Sequence, residues 1–255
     1  LDLAPIPDEL LTPITGEEYG GQIILFPGGV QLKLDEQLAD QGVIFTDYAT
    51  ALREYPSIVE SILGKVVKVN EGKFGALSAA FANSGVFLYV PKGVQVAKPF
   101  HSIYWGPGNG LLHLSHIVVL LEEGASATYI HEFASPNEVK ESIHSGVVEL
   151  SVGPTANLRF VELQSWGEHV WNFSHERVHV ERDANLDWIF GAVGSKLTKN
   201  FSDLDLVGAG ATGKMSGFYF SHDKQHFDHD TQQNHLAPNT TSDLLFKGAL
   251  RGNSR

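Results

Sequence analysis

The chain has 255 residues, 42% of them hydrophobic and 19% charged, with a formal net charge of −12 and no cysteine. That hydrophobic share supports a sizeable core and argues against wholesale disorder, and the length allows one large or two small domains. The acidic balance and the lack of a Lys/Arg cluster disfavour a nucleic-acid-gripping face, and the missing thiols exclude disulfides and thiolate metal sites within this chain. No signal peptide is evident. The longer apolar runs, such as Ile117 to Leu121, are strand-sized and cannot span a bilayer. The chain has no initiator Met and stops at Arg251-Gly252-Asn253-Ser254-Arg255 without a closing element, so it reads as a fragment.

Residues 1–20 are rich in Pro and acid and read as an extended arm. Gln22 to Phe26 is a short strand, followed by a turn at Pro27-Gly28-Gly29. Val30, Leu32 and Leu34 alternate with polar residues, the pattern of a half-buried strand. Thr46 or Asp47 caps a helix whose face is Tyr48, Leu52 and Tyr55. Pro56 breaks it or starts the next turn, where Ile58, Val59, Ile62 and Leu63 continue to Gly64. A further helix covers Lys73 to Ala82, with Phe74, Leu77 and Phe81 together, and Asn83-Ser84-Gly85 stops it.

From Val86 the texture becomes strands and turns. Strands are expected at Val86–Val90, Ile117–Leu121, Ala127–His131, Val147–Val152, Leu158–Leu163, Phe173–Val180, Leu186–Phe190, Leu204–Val207 and Met215–Phe220. Small or turn-forming residues recur at Ala97, Ala125, Thr155, Asp183, Ala211 and Asn239. A repeat of that kind with strands implies a β-helix whose coils stack. A chance recurrence of turns is the alternative.

The segment Gln225 to Gly248 is the most distinctive chemically. It holds His226, His229 and His235, with His222 just before. If it is extended, His229 and His235 share one face and His226 points away with Asp228 and Asp230. If it is helical, His222, His226 and His229 align. Phe218, Tyr219 and Phe220 are strand-prone and favour the extended form. A metal site of imidazole and carboxylate competes with a hydrogen-bonded, solvent-facing ladder. The ladder is preferred, because no ligand spacing such as H-E-x-x-H occurs. His175, Arg177 and His179 share one face of their strand, either a groove or an exposed sheet face. His113, His116, His131 and His144 receive no role. Gly208 to Gly213 fits G-x-G-x-x-G, but no helix pattern follows, so a turn is expected and no nucleotide site. No G-x-S-x-G elbow is present.

Two blocks resemble one known family. Lys73-Phe74-Gly75-Ala76-Leu77-Ser78-Ala79-Ala80-Phe81 with Tyr89-Val90-Pro91-Lys92-Gly93-Val94 resembles an F-x-A-L-N-x-A then Y-V-P-K-G-V signature, with Ser78 where the pattern has Asn. Asp228 to His235, with Pro238 to Ser242 and Phe246-Lys247-Gly248, resembles the later block of the same SufB/SufD family. The resemblance implies a mainly β chain: a right-handed parallel β-helix over 86–255 after a small N-terminal α/β region over 1–85. It implies a non-catalytic scaffold subunit of SUF iron–sulfur cluster assembly, pairing with a SufB-like subunit and coupled to a SufC-like ATPase. The absence of cysteine makes it SufD-like. On this reading no catalytic, cofactor or metal residue is assigned. The iron–sulfur cluster is handled by the assembled complex, no cofactor is bound by this chain alone, and the compartment is the cytoplasm or a plastid stroma. The C-terminal helical region that docks SufC would lie beyond Arg255. Two rivals remain: a metal-dependent enzyme using His222 to His235, and a carbohydrate-active β-helix enzyme using Trp166, Trp171 and Trp188. The second lacks a paired-carboxylate signature.

Overall fold

A computed structural model describes residues 6–11, 18–26, 29–106 and 108–255. In chain order the first elements are α1 (Asp8–Leu11), β1 (Gly21–Phe26), β2 (Gly29–Leu34), α2 (Glu36–Asp40), β3 (Ile44–Asp47), α3 (Tyr48–Glu54), α4 (Pro56–Ile62) and α5 (Gly72–Phe81). Then come β4 (Ser84–Val90), β5 (Phe100–Trp105), β6 (Leu112–Leu121), β7 (Ser126–Ala134), β8 (Ser142–Val152) and β9 (Asn157–Trp166). The last are β10 (Val170–Val180), β11 (Asn185–Gly194), β12 (Leu197–Leu206), β13 (Thr212–Ser221), β14 (His226–His235) and β15 (Thr241–Leu250).

From β4 onward, strands alternate between two sheets. The first has the order β15-β13-β11-β9-β7-β5-β1-β2, and the second β14-β12-β10-β8-β6-β4-β3. Each strand from β4 onward pairs in parallel with the strand two places along, so one coil is two strands. The result is a parallel β-solenoid of about six turns, as the repeat implied. Among the described strands, only the two N-terminal additions, β1 with β2 and β3 with β4, are antiparallel.

The coils register at Ser126, Asn157, Asn185, Thr212 and Thr241. One step earlier lie Ala125, Ala156, Ala184 and Ala211, all fully buried. One step earlier again, Gly124, Thr155, Asp183, Gly210 and Asn239 all have φ between 55° and 75°. The column expected from the sequence therefore mixed two real ones. Ala125 and Ala211 belong to the buried alanines, while Thr155, Asp183 and Asn239 belong to the left-handed corners. Glycine suits such corners because it has no Cβ, and Asn and Asp tolerate them better than other residues. The G-x-G-x-x-G stretch is one of these corners, with Gly210 at φ 75°.

The lumen is divided. Toward the left-handed corners it is apolar: Val119, Leu150, Val178 and Leu204 face Tyr129, Phe160 and Trp188, all in one buried cluster. Toward the opposite seam it is polar. There Ser115 Oγ meets His144 Nε2 at 2.8 Å, and His144 Nδ1 meets Asn172 Oδ1 at 2.6 Å. Asn172 Nδ2 donates to Gln164 Oε1 at 2.7 Å, and Gln164 Nε2 donates to Thr198 Oγ1 at 3.0 Å. Because Asn172 offers its carbonyl oxygen to His144, Nδ1 carries the ring proton and Ser115 donates to Nε2.

Helices α3 to α5 pack on the outer face of the second sheet, against β4, β6, β8 and β10. Asp47 caps α3, accepting from Thr50 N–H at 2.9 Å. The buried side of α3 is Tyr48 and Ala51, whereas Leu52 and Tyr55 are exposed, contrary to the expected face. On α5 the buried residues are Gly75 and Ser78, and Phe81 is exposed. Small residues let this helix approach the sheet: a Cβ on Gly75 would already stand 3.4 Å from the His175 ring, and Ser78 Oγ donates to Ser145 O at 2.9 Å. The expected half-burial of β2 also fails. It is the outermost strand of its sheet, and Val30 and Leu32 face solvent. Within the expected N-terminal arm, the described part includes one helical turn, α1. The expected turn at Pro27-Gly28 lies outside the described residues.

Candidate functional site

The histidine segment is β14, so the extended form is the observed one. The register follows the strand alternation. Asp228 and Asp230 pair with Lys199 Nζ at 2.9 and 4.0 Å on the outer face. On the inner face His229 sits among aromatic rings, edge-on to Phe190 with centroids 4.9 Å apart and close to Tyr219, Phe227 and Phe246. Its Nε2 is buried without a hydrogen-bond partner, and burial pulls its pKa down to about 4. His235 bridges Thr240 Oγ1 at 2.7 Å and Ser242 Oγ at 2.9 Å. His226 meets Arg255 Nε at 3.3 Å. His222 lies between Asp223 at 2.9 Å and Glu168 at 3.4 Å. The four rings thus have four separate sets of neighbours. Among the described residues, no group of three or more His, Cys, Asp or Glu side chains converges on a point where a metal ion could sit.

His175, Arg177 and His179 do share the outer face of β10. It is not the open face expected, because α5 and the segment before it lie over it. Arg177 forms ion pairs with Glu71 and Asp203, sits 3.5 Å from Asp205, and donates to Val66 O at 3.3 Å. His179 Nε2 is 3.7 Å from Asp205. His175 stacks on Phe201 with centroids 4.8 Å apart. The cluster clamps the helical layer to the solenoid and leaves no groove.

The sequence reading missed a buried carboxylate. Glu149, fully buried on β8, accepts backbone N–H groups from Gly64 at 2.9 Å, Val66 at 3.0 Å and Val67 at 3.1 Å. His116 Nε2 lies 2.8 Å from it. Such a carboxylate, held by amides and an imidazole, needs no cation to be tolerated in the interior. Tyr48 stacks on His116, and burial, with a smaller push from Glu149, raises its pKa to about 12. The sequence signal was faint: a Glu between Val148 and Leu150 in a mostly apolar strand, Val147 to Val152.

β14 and β15 each end their sheet. Leu236, Leu244, Leu245 and Leu250 are exposed on or beside them. No helix among the described residues is long and apolar enough to cross a membrane.

Residues 104–255 match a family model described as "SUF system FeS cluster assembly, SufBD core domain", and residues 30–101 one described as "SufBD protein N-terminal region". An iron–sulfur cluster assembly SufBD family protein of Staphylococcus haemolyticus is 31% identical over 222 residues, covering 87% of this chain and 48% of the relative. A similar protein of Staphylococcus saprophyticus is 32% identical over 214 residues, covering 84% and 46%. One from Staphylococcus aureus is 30% identical over 222 residues, covering 87% and 48%. The chain spans about half the length of the curated relatives it matches.

Proposed function

The chain belongs to the SufBD family of iron–sulfur cluster assembly proteins, and we propose that within it this is a SufD-like, non-catalytic scaffold subunit that pairs with a SufB-like subunit and is coupled to a SufC-like ATPase. The observation that carries this reading is chemical. The residues that match the two family models include no cysteine, so this stretch offers no thiolate to carry sulfur or hold a cluster. Its role is then to shape and support a partner that does. The iron–sulfur cluster is cargo of the assembled complex.

Nucleotide-driven movement of the ATPases would rearrange the paired scaffolds by favouring one arrangement over another.

Co-purification of this chain with SufB-like and SufC-like subunits, with metal analysis of the same sample, tests the proposal. Stable association with the SufB-like subunit, and iron only when that subunit is present, is the expected result. Stoichiometric metal on this chain alone, without association, would overturn it.

A further inference from the structure

The polar half of the lumen contains two carboxyl groups that the scaffold role does not use. Glu162 enters from β9 in the first sheet and Glu176 from β10 in the second. Both are buried, with 3% and 2% of their surface exposed, and they lie close enough for the charge of one to act on the other. Glu176 is well furnished with donors: Asn200 Nδ2 reaches its Oε1 at 3.0 Å and Ser202 Oγ its Oε2 at 2.9 Å. Glu162 differs, since its Oε2 has no partner.

Among the described residues, the neighbours in register with the pair include no Lys or Arg. Neighbouring strands present His131 and Tyr129 from β7, Phe190 from β11, Val148 from β8, and Asn200 and Ser202 from β12, with Ser174 on β10 itself. His131 is kept neutral, its pKa held well below the usual imidazole range by burial and by the nearby His144 and His101. Arg177 leaves β10 on the opposite face, toward Glu71 and Asp203. Two adjacent carboxylates in such a setting cannot both be ionised, because each desolvated charge raises the cost of the other.

We propose that Glu162 is a proton-binding site in the solenoid lumen, holding a proton at neutral pH and donating it to the Glu176 carboxylate. The pair then carries one negative charge, shared among three donors: Asn200, Ser202 and the Glu162 hydroxyl. The unpartnered Oε2 is the carbonyl oxygen of the neutral acid. Burial first, and then the Glu176 charge, push the pKa of Glu162 well above the usual carboxyl range. Burial also raises Glu176, against the pull of its own donors. One coil further along, Thr231 and His229 are in register with Ser202 and Asn200 and line a solvent-facing cavity of about 570 Å³.

The two carboxyls give opposite predictions. Glu162→Gln replaces a neutral acid by an amide of the same shape that donates the same hydrogen bond. Glu176→Gln puts an NH₂ where an acceptor must face Asn200 or Ser202. Unfolding of the full chain is followed from mildly acidic to alkaline pH, with infrared spectra of the native state. The folded pKa is raised, so the wild type should lose stability as pH rises from the ordinary carboxyl range toward the raised value. Glu162→Gln should abolish that slope and remove a protonated-carboxyl stretch seen in the wild type at neutral pH. Glu176→Gln should be destabilised at every pH. Equal losses in the two variants, or a neutral-pH wild-type spectrum without a protonated-carboxyl band, would overturn the proposal. Should neither variant fold, the wild-type spectrum alone decides.

Discussion

Glu149 shows how one side chain can join two layers. Its oxygens satisfy three amides of the segment between α4 and α5 and the ring of His116. Truncation would leave those buried donors unpaired. Glu149→Ala should therefore cost about 3–5 kcal/mol, read as a lower denaturation midpoint, with the helical layer becoming protease-sensitive first. His229 makes a different prediction. Its folded pKa of about 4 lies below the ordinary imidazole value of about 6.5, so the unfolded chain takes up the proton first as pH falls. The contribution of His229 to native stability is full above about 6.5 and is lost as pH drops toward 4, by about 3 kcal/mol. His229→Phe suits the ring cage and leaves no unpaired nitrogen, so it should flatten that acid limb. An unchanged limb in thermal melts at pH 5 and 7.5 would mean other groups carry it. The histidines drew notice in the sequence because of their number. What each does depends on which neighbouring strand it meets, and one chain segment does not disclose that.

At the scale of the element, the strands and the capped helices were legible, and several faces were not. Asp47 caps α3 as its position before the helix suggested. The short α2, capped by Asp35, escaped because five residues are too few to show a period. The α5 face was misread because hydrophobicity was expected to decide it, whereas close approach did, through Gly75 and Ser78. β15 was not expected as a strand, because Leu244 and Leu245 are adjacent and break the alternation. The left-handed corners supply a further prediction. Thr155 is β-branched and holds φ at 58°, a conformation that Asn adopts at lower cost. Thr155→Asn should raise stability by about 0.5–1 kcal/mol, measured by urea denaturation. A loss would mean that the Thr155 hydroxyl contact to Pro154 O at 2.6 Å matters more than the backbone.

For the whole molecule, the solenoid was readable from recurring turns, but its exact period was not, because coils differ by a residue or more and the eye joined two adjacent columns. The family resemblance rested on two blocks far apart in sequence. In the fold the first straddles α5 and β4 and the second forms β14 and β15, at opposite ends of the stack.

The two seams of the stack are unlike. On one, every strand pair from β6 to β15 is joined by four or five residues around the same left-handed bend. On the other, the joins vary, from two residues between β11 and β12 to seven between β7 and β8. The constant seam acts as a module boundary and the variable one as a place for growth. Excising residues 183–209 would remove one full coil and bring β9 beside β13 and β10 beside β14 with their directions preserved. A cut of half that length would leave the two sheets out of phase. Length in this architecture is therefore quantised: it can be gained or lost by whole coils through duplication or deletion, while smaller changes are accommodated only along the irregular seam.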